Sequence, residues 1–200
     1  MSSVDQAVEA IRAGELAIVP TDTVYGLAAT PHEEAAVHRL YRAKGRGGQQ
    51  PTALVAADFE ALLECVPELT GRHEVVAGAL LPGPYTLIVP NPARRFPWLT
   101  GMRPEAIGVR IPAATGPGAE VLSGVGALAA TSANLPGAPD PRTLDEIPDE
   151  LRVAAAALVD GGELPGTPST VLDLTGPEPI VVREGAVPAA EALRVVASVL

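Results

Sequence analysis

Two rhythms run along this chain, a helical repeat of apolar positions and short continuous apolar runs, and the switches between them mark its elements. Val4, Val8 and Ile11 recur at helical spacing and Gly14 follows as a stop, so the pattern predicts a first helix over about residues 3 to 13. Leu16-Ala17-Ile18-Val19 is long enough for a buried strand, and it runs into Pro20 and then into hydroxyls, a carboxylate and a phenol between Thr21 and Tyr25. Residues 33 to 43 read as a second helix, acidic in its first turn and with Arg39, Arg42 and Lys44 toward its end, the polarity that a helix dipole favours. Pro51 introduces a strand over 52 to 57; Asp58 is placed to cap a short helix through Cys65, and another helix spans about 72 to 81. Pro82-Gly83-Pro84 breaks the chain.

Strands are expected at 85 to 89, 106 to 111, 126 to 131, 155 to 160, 170 to 174 and 180 to 183, with a Pro/Arg-rich loop over 90 to 105 and a closing helix over 189 to 199. Thr143-Leu144-Asp145-Glu146 has the spacing of a capping box, with Pro148 limiting that helix to a turn or two. Helices and strands interleave without strict alternation, and several strands are placed to be hairpin neighbours. The expected fold class is therefore α/β of the α+β type, a mixed, twisted sheet covered by helices. No internal repeat or linker divides the chain, so a single domain over residues 1–200 is expected.

A hydrophobic content of 47% provides for a sizeable core. No apolar stretch approaches the roughly 20 residues of a membrane span, and the N-terminus lacks a basic start and apolar run, which points to a cytoplasmic protein without a membrane partner. Cys65 is the single cysteine, on an apolar segment, and reads as a buried, inert thiol; His32, His38 and His73 lack metal-ligand spacing. The net charge of −10 weighs against a broad basic face for nucleic acid. Arg39, Arg42, Lys44 and Arg46 nevertheless cluster, with a looser group at Arg94, Arg95, Arg103 and Arg110, and both groups suit a small anion better than a polyanion. Lys44 is the one lysine beside 13 arginines. That bias points to a position where a compact ammonium is needed and a planar guanidinium will not serve.

Familiar nucleotide motifs are missing. Gly161 and Gly166 have P-loop spacing, but Thr167-Pro168 stands where Lys-Ser/Thr is required. No dinucleotide-binding glycine motif or nucleophile elbow occurs, and no serine has a plausible histidine partner, so covalent catalysis is not expected. What remains is a set of polar groups directly after or at the end of apolar runs: Thr21, Thr23 and Tyr25; Lys44 and Arg46; Arg110; Ser132 and Asn134; Ser169 and Thr170; Arg183. Strand ends are where open α/β sheets place their clefts. Taken alone, the Thr21–Tyr25 stretch reads equally well as a Thr/Asp turn.

Seven blocks in order carry a family resemblance: Pro20-Thr21-Asp22-Thr23-Val24-Tyr25-Gly26-Leu27, Ala43-Lys44-Gly45-Arg46, Leu81-Pro82-Gly83-Pro84-Tyr85-Thr86-Leu87, Val109-Arg110-Ile111-Pro112, Thr131-Ser132-Ala133-Asn134, Ser169-Thr170-Val171-Leu172-Asp173 and Arg183-Glu184-Gly185. Together they resemble the YrdC/TsaC family from about residue 4 to residue 190. The resemblance implies a three-layer YrdC-like fold with an open concave cleft. It also implies a nucleotidyltransferase that joins L-threonine, bicarbonate and ATP into threonylcarbamoyl-adenylate and pyrophosphate, the first step of tRNA t6A modification. By resemblance Thr23, Tyr25, Arg110 and Ser169 would hold threonine; Arg46, Gln50, Ser132, Asn134 and Arg183 would contact the nucleotide; and Lys44 with Arg46 would form a Lys-x-Arg pair at the reacting phosphates. Mg2+ would accompany ATP, the product would pass to the tRNA threonylcarbamoyl-transferase complex, and direct tRNA binding would be weak or absent.

The chain departs from the family pattern at Gly47, where proline is usual, at Gln49-Gln50-Pro51-Thr52, at Val55, where some members have a threonine-contacting histidine, and at Pro136 in place of serine. The resemblance implies the short, single-domain form of the family. A non-catalytic RNA-binding module in tRNA or ribosome maturation is the alternative reading. Carbamoyl-adenylate chemistry of hydrogenase maturation would need acylphosphatase and zinc-finger segments that 200 residues with one cysteine do not accommodate.

Overall fold

A computed structural model of the chain describes residues 1–45, 47 and 50–200. The first helix, α1 (Ser3–Arg12), starts on a reciprocal cap in which Ser2 Oγ accepts from the Asp5 N–H at 3.1 Å and Asp5 accepts from the Ser2 N–H at 3.0 Å. Gly14, at φ +76°, then turns the chain into β1 (Ala17–Pro20). At Pro20 the chain turns back on itself, returning as β2 (Tyr25–Ala29), antiparallel to β1 with Ala17 opposite Ala28; the sequence pattern had shown no strand here. The Thr21 hydroxyl knits the turn, donating to Val24 O at 2.7 Å and accepting from the N–H groups of Thr23 and Val24.

Next come α2 (Glu34–Ala43), β3 (Ala53–Ala56), α3 (Phe59–Cys65), capped by Asp58 as expected, α4 (Arg72–Leu80), β4 (Tyr85–Pro90) and β5 (Ala106–Arg110). Helix α5 (Pro117–Val125) occupies a stretch where the pattern had shown no element. Strand β6 (Ala127–Ser132) follows. The expected capping box does not form: Thr143 makes no side-chain cap, Glu146 accepts from the Arg142 N–H at 2.6 Å, and Leu144–Glu146 is a single 3-10 turn. Beyond Pro148, α6 (Asp149–Ala154) takes residues that had no assignment, and the strand expected over 155 to 160 shrinks to β7 (Ala157–Leu158). Strands β8 (Thr170–Asp173) and β9 (Ile180–Arg183) and helix α7 (Ala189–Val199) end the chain.

The strands form one mixed sheet in the order β7-β1-β2-β6-β3-β5-β4-β8-β9, with β1/β7, β3/β5 and β4/β8 parallel and the other pairs antiparallel. Strand alternation sends Ile18, Leu27, Leu54, Leu87, Val109, Ala129 and Leu172 to one face, where they form the main core with α2, α3, α4, α6 and α7. On the opposite face Ala17, Val19, Ala28 and Leu128 pack against Ala7 and Ile11 of α1 and Val121 and Leu122 of α5. These two helices cover only one end of that face. The rest, from the far ends of β2, β6 and β3 across to β9, is left open.

The 90 to 105 loop borders this opening and is held from within. Buried Asn91 donates to Arg95 O at 2.9 Å and Pro104 O at 3.1 Å and accepts from the Arg95 N–H. Trp98 Nε1 donates to Pro31 O and the Tyr41 hydroxyl to Trp98 O, tying the loop to α2.

Candidate active site

The uncovered half of the sheet is a cleft of about 480 Å³, within the range of small-molecule sites. Its depth comes from small residues at successive strand positions, Gly26 on β2, Ala130 on β6, Ala53 on β3 and Gly108 on β5. Its polar groups come from the same alternation: Thr86 on β4, Arg110 at the end of β5, Ser132 at the end of β6, Ser169 just before β8 and Arg183 at the end of β9. Thr100, Met102 and Arg103 of the 90 to 105 loop complete the rim.

Arg110 is buried, with 8% of its surface exposed. Its Nη2 donates to an Asp22 carboxylate oxygen and, at 2.9 Å, to Thr23 Oγ1, while Nε is buried with no partner among the described residues. Burial pulls its affinity for a proton down, the Asp22 charge opposes that, and Arg183 adds to it, although a guanidinium stays charged. Asp22 is held at both oxygens, since the second accepts from the Ala113 N–H at 3.0 Å. Arg183 donates to Ser169 O through Nε at 3.2 Å and Nη2 at 2.8 Å, and Nη2 also reaches Ser169 Oγ, which shares a 2.8 Å hydrogen bond with Thr86 Oγ1. Arg103, Arg110 and Arg183 thus face a cleft whose described lining includes no carboxylate, in a chain of net charge −10. Such a site attracts anions.

Lys44 caps the C-terminal end of α2 and is buried. Its ammonium donates to Ser132 O at 2.7 Å, to Asn134 O and to Asn134 Oδ1 at 2.9 Å. Ser132 Oγ also donates to Asn134 Oδ1 at 2.7 Å, and Asn134 Nδ2 donates to Ala138 O. Three convergent acceptors suit a tetrahedral ammonium and not a flat guanidinium, which gives the lone lysine a physical reason.

The structure therefore brings Thr23 to Arg110, Ser169 to Arg183, and Lys44 to Ser132 and Asn134. Tyr25 is a correction. Strand alternation turns it away from the cleft that its neighbour Gly26 lines, and it is fully buried in the main core, with its hydroxyl donating to Gly162 O at 2.8 Å and accepting from the Gly161 N–H. Burial raises its pKa, as it does that of Cys65, whose thiol is buried as expected. Gln50 is exposed and precedes the lining residues Pro51 and Thr52; Arg46 lies outside the described residues. Asp22 and Thr86 were missed by the sequence reading. Thr86 had a legible signal as the one hydroxyl on the open-face positions of β4, and Asp22 lies between two threonines already singled out.

The Sua5/YciO/YrdC family model, described as "Telomere recombination", matches residues 9–185. A threonylcarbamoyl-AMP synthase of Pyrococcus abyssi is 34% identical over 190 residues, covering 94% of this chain and 56% of that protein. A putative threonylcarbamoyl-AMP synthase of Mycobacterium tuberculosis is 36% identical over 186 residues, covering 90% of this chain and 83% of that one. The crystal structure of P. abyssi Sua5 complexed with L-threonine aligns with a TM-score of 0.89 at 32% identity, covering 100% of this chain and 59% of that one. This chain thus spans little more than half the length of the P. abyssi relative. A strand order that leaves half of one sheet face open as an arginine-lined cleft, together with a match running through nearly the whole chain, places this protein in the Sua5/YciO/YrdC family.

Proposed function

We propose that this chain is a threonylcarbamoyl-AMP synthase, a nucleotidyltransferase that converts L-threonine, bicarbonate and ATP into threonylcarbamoyl-adenylate and pyrophosphate. The observation that carries the reading is Arg110, a buried guanidinium on the cleft wall with a donor left over beyond Asp22 and Thr23, a placement that is costly unless an anion such as an amino acid's carboxylate completes it. The names of the relatives and the threonine bound to P. abyssi Sua5 support the same choice of substrate.

In this reading Arg110, oriented by Thr23, receives the threonine carboxylate, and the Ser169–Thr86 hydroxyl pair borders the amino-acid end. The threonine amine captures CO2 derived from bicarbonate to give a carbamate. A carbamate oxygen then attacks the α-phosphorus, the bond to the β-phosphate oxygen breaks, and pyrophosphate leaves. No enzyme nucleophile is needed. Ser132, Asn134 and Arg183 contact the nucleotide, Gln50 and Arg46 add to it from the segment after α2, and Lys44 supplies positive charge while holding the Ser132–Asn134 turn in place. Fixing the substrates supplies several kcal/mol of barrier reduction, and each well-aimed donor roughly 3 kcal/mol more.

Among the described residues no three His, Cys, Asp or Glu side chains converge as a metal cage. Mg2+ would enter with ATP and would supply positive charge at the phosphates beside that of Lys44 and Arg183. No described helix is long and apolar enough to cross a membrane. A cytoplasmic site of action and delivery of the adenylate to a tRNA threonylcarbamoyl-transferase complex complete the proposal.

Pyrophosphate release from ATP that requires both threonine and bicarbonate is the expected result. No release with all three substrates present, together with tight binding to duplex RNA, would replace the enzyme by an RNA-binding module.

A further inference from the structure

Asp22 takes no part in the reaction described above, and it does not line the cleft. It is nonetheless a carboxylate with only 10% of its side chain exposed, clamped at both ends. One oxygen binds Arg110 Nη2, and the other accepts from the Ala113 N–H, so the acid joins the β1–β2 turn to the end of β5 and the segment beyond it. Thr23 takes a second bond from the same Nη2. With both Nη2 protons engaged, no other donor of this guanidinium has a partner among the described residues.

We propose that Asp22 is a positioning residue for the amino-acid end of the cleft, pinning Nη2 so that Arg110 keeps one fixed orientation toward the carboxylate of the substrate, with Nη1 left to donate to it. The inference rests on the reading of Arg110 as the carboxylate's partner. Its physical basis is the restriction of a side chain that otherwise swings about several bonds: a planar guanidinium aims its remaining donors at a carboxylate only when its plane is fixed. Arg183 is close enough to repel Arg110. Without an anion behind Arg110, the two guanidiniums would spread apart, and the carboxylate would meet them in no set direction.

Asp22→Asn keeps the size and an acceptor for the Ala113 N–H while removing the charge. Calorimetry of the full chain is expected to show L-threonine affinity falling about tenfold and the preference for L-threonine over L-threoninamide, which lacks the carboxylate, shrinking by a similar factor, with ATP affinity within about twofold of the unaltered protein. Asp22→Glu, which keeps the charge but moves it by one methylene, is expected to recover part of that preference and serves alone if the Asn variant does not fold. Unchanged threonine preference in either variant overturns the proposal, as does an equal loss for threonine and ATP accompanied by a lower unfolding midpoint, the mark of a purely structural carboxylate. An unaltered protein that binds ATP but no threonine overturns the reading of the substrate, and this proposal with it.

Discussion

The two ends of one sheet face follow the same strand geometry to opposite ends. Over β1, β2 and β6 the outward positions are Ala17, Val19, Ala28 and Leu128, and α1 and α5 settle onto them with Ile11, Val121 and Leu122 to make a second, smaller core. Across the sheet the equivalent positions are Gly108, Thr86 and Arg110, with Ala53 at the boundary, and they line the cleft. Apolar side chains of full size recruit a covering layer because burying each is worth roughly 1.5–3 kcal/mol. Glycine, alanine, threonine and arginine offer a helix little to bury, and the arginine demands an anion. The cleft is thus the part of the sheet that the sequence leaves without a reason to be covered, and the covered half gives it a rigid wall.

Arg110→Met breaks the open half most severely. It strands the Asp22 carboxylate in a buried site, at a cost of about 3–5 kcal/mol, and removes the carboxylate's partner, so threonine-dependent pyrophosphate release should fall about 100-fold or more. Urea denaturation and the pyrophosphate assay read the two effects separately. Wild-type stability with wild-type turnover would mean that the ion pair organises neither the fold nor the site. In the covered half, Ile11→Ala leaves a cavity between α1 and the sheet and should cost about 2–4 kcal/mol in the same denaturation experiment. The KM for threonine should not move, and a clear rise would show that the two halves are coupled.

Much of this architecture is readable along the chain, and the exceptions share a cause. Strands β3, β4, β5, β6, β8 and β9 announce themselves as apolar runs, and α2, α3, α4 and α7 by spacing and caps. Strand β2 escapes because its first residues also satisfy a turn, and α5 because glycine and proline frame it; both are stabilised by what they pack against and not by local propensity. The site shows the same division. That Thr23, Arg110, Ser132, Asn134, Ser169 and Arg183 are polar groups at or beside strand ends, and that Lys44 is a lone lysine at a helix end, is visible in one dimension. That Lys44 meets Asn134, 90 residues away, or that Arg110 meets Asp22, 88 residues away, depends on a strand order in which β6 lies between β2 and β3. Tyr25 shows the converse, since a residue in the right motif points the wrong way once the strand's two-residue period is placed on the sheet.

The mildest change tests whether the openness itself is selected for. Gly108 lies in β5 with no positive φ, and a Cβ there would meet Thr86 Cγ2 at 3.6 Å and Ala53 Cα at 3.9 Å, both ordinary contacts. A glycine inside a strand costs roughly 0.5–1 kcal/mol relative to alanine, so Gly108→Ala should raise the unfolding free energy read from urea denaturation by about that amount while narrowing the cleft. If the glycine is there to leave room for substrates, the stabilised variant should also show a higher KM for threonine or ATP. Stability gained with no change in either KM would mean that the room at Gly108 is not used by the substrates, and that the boundary between covered and open sheet is set by Arg110 and its neighbours alone.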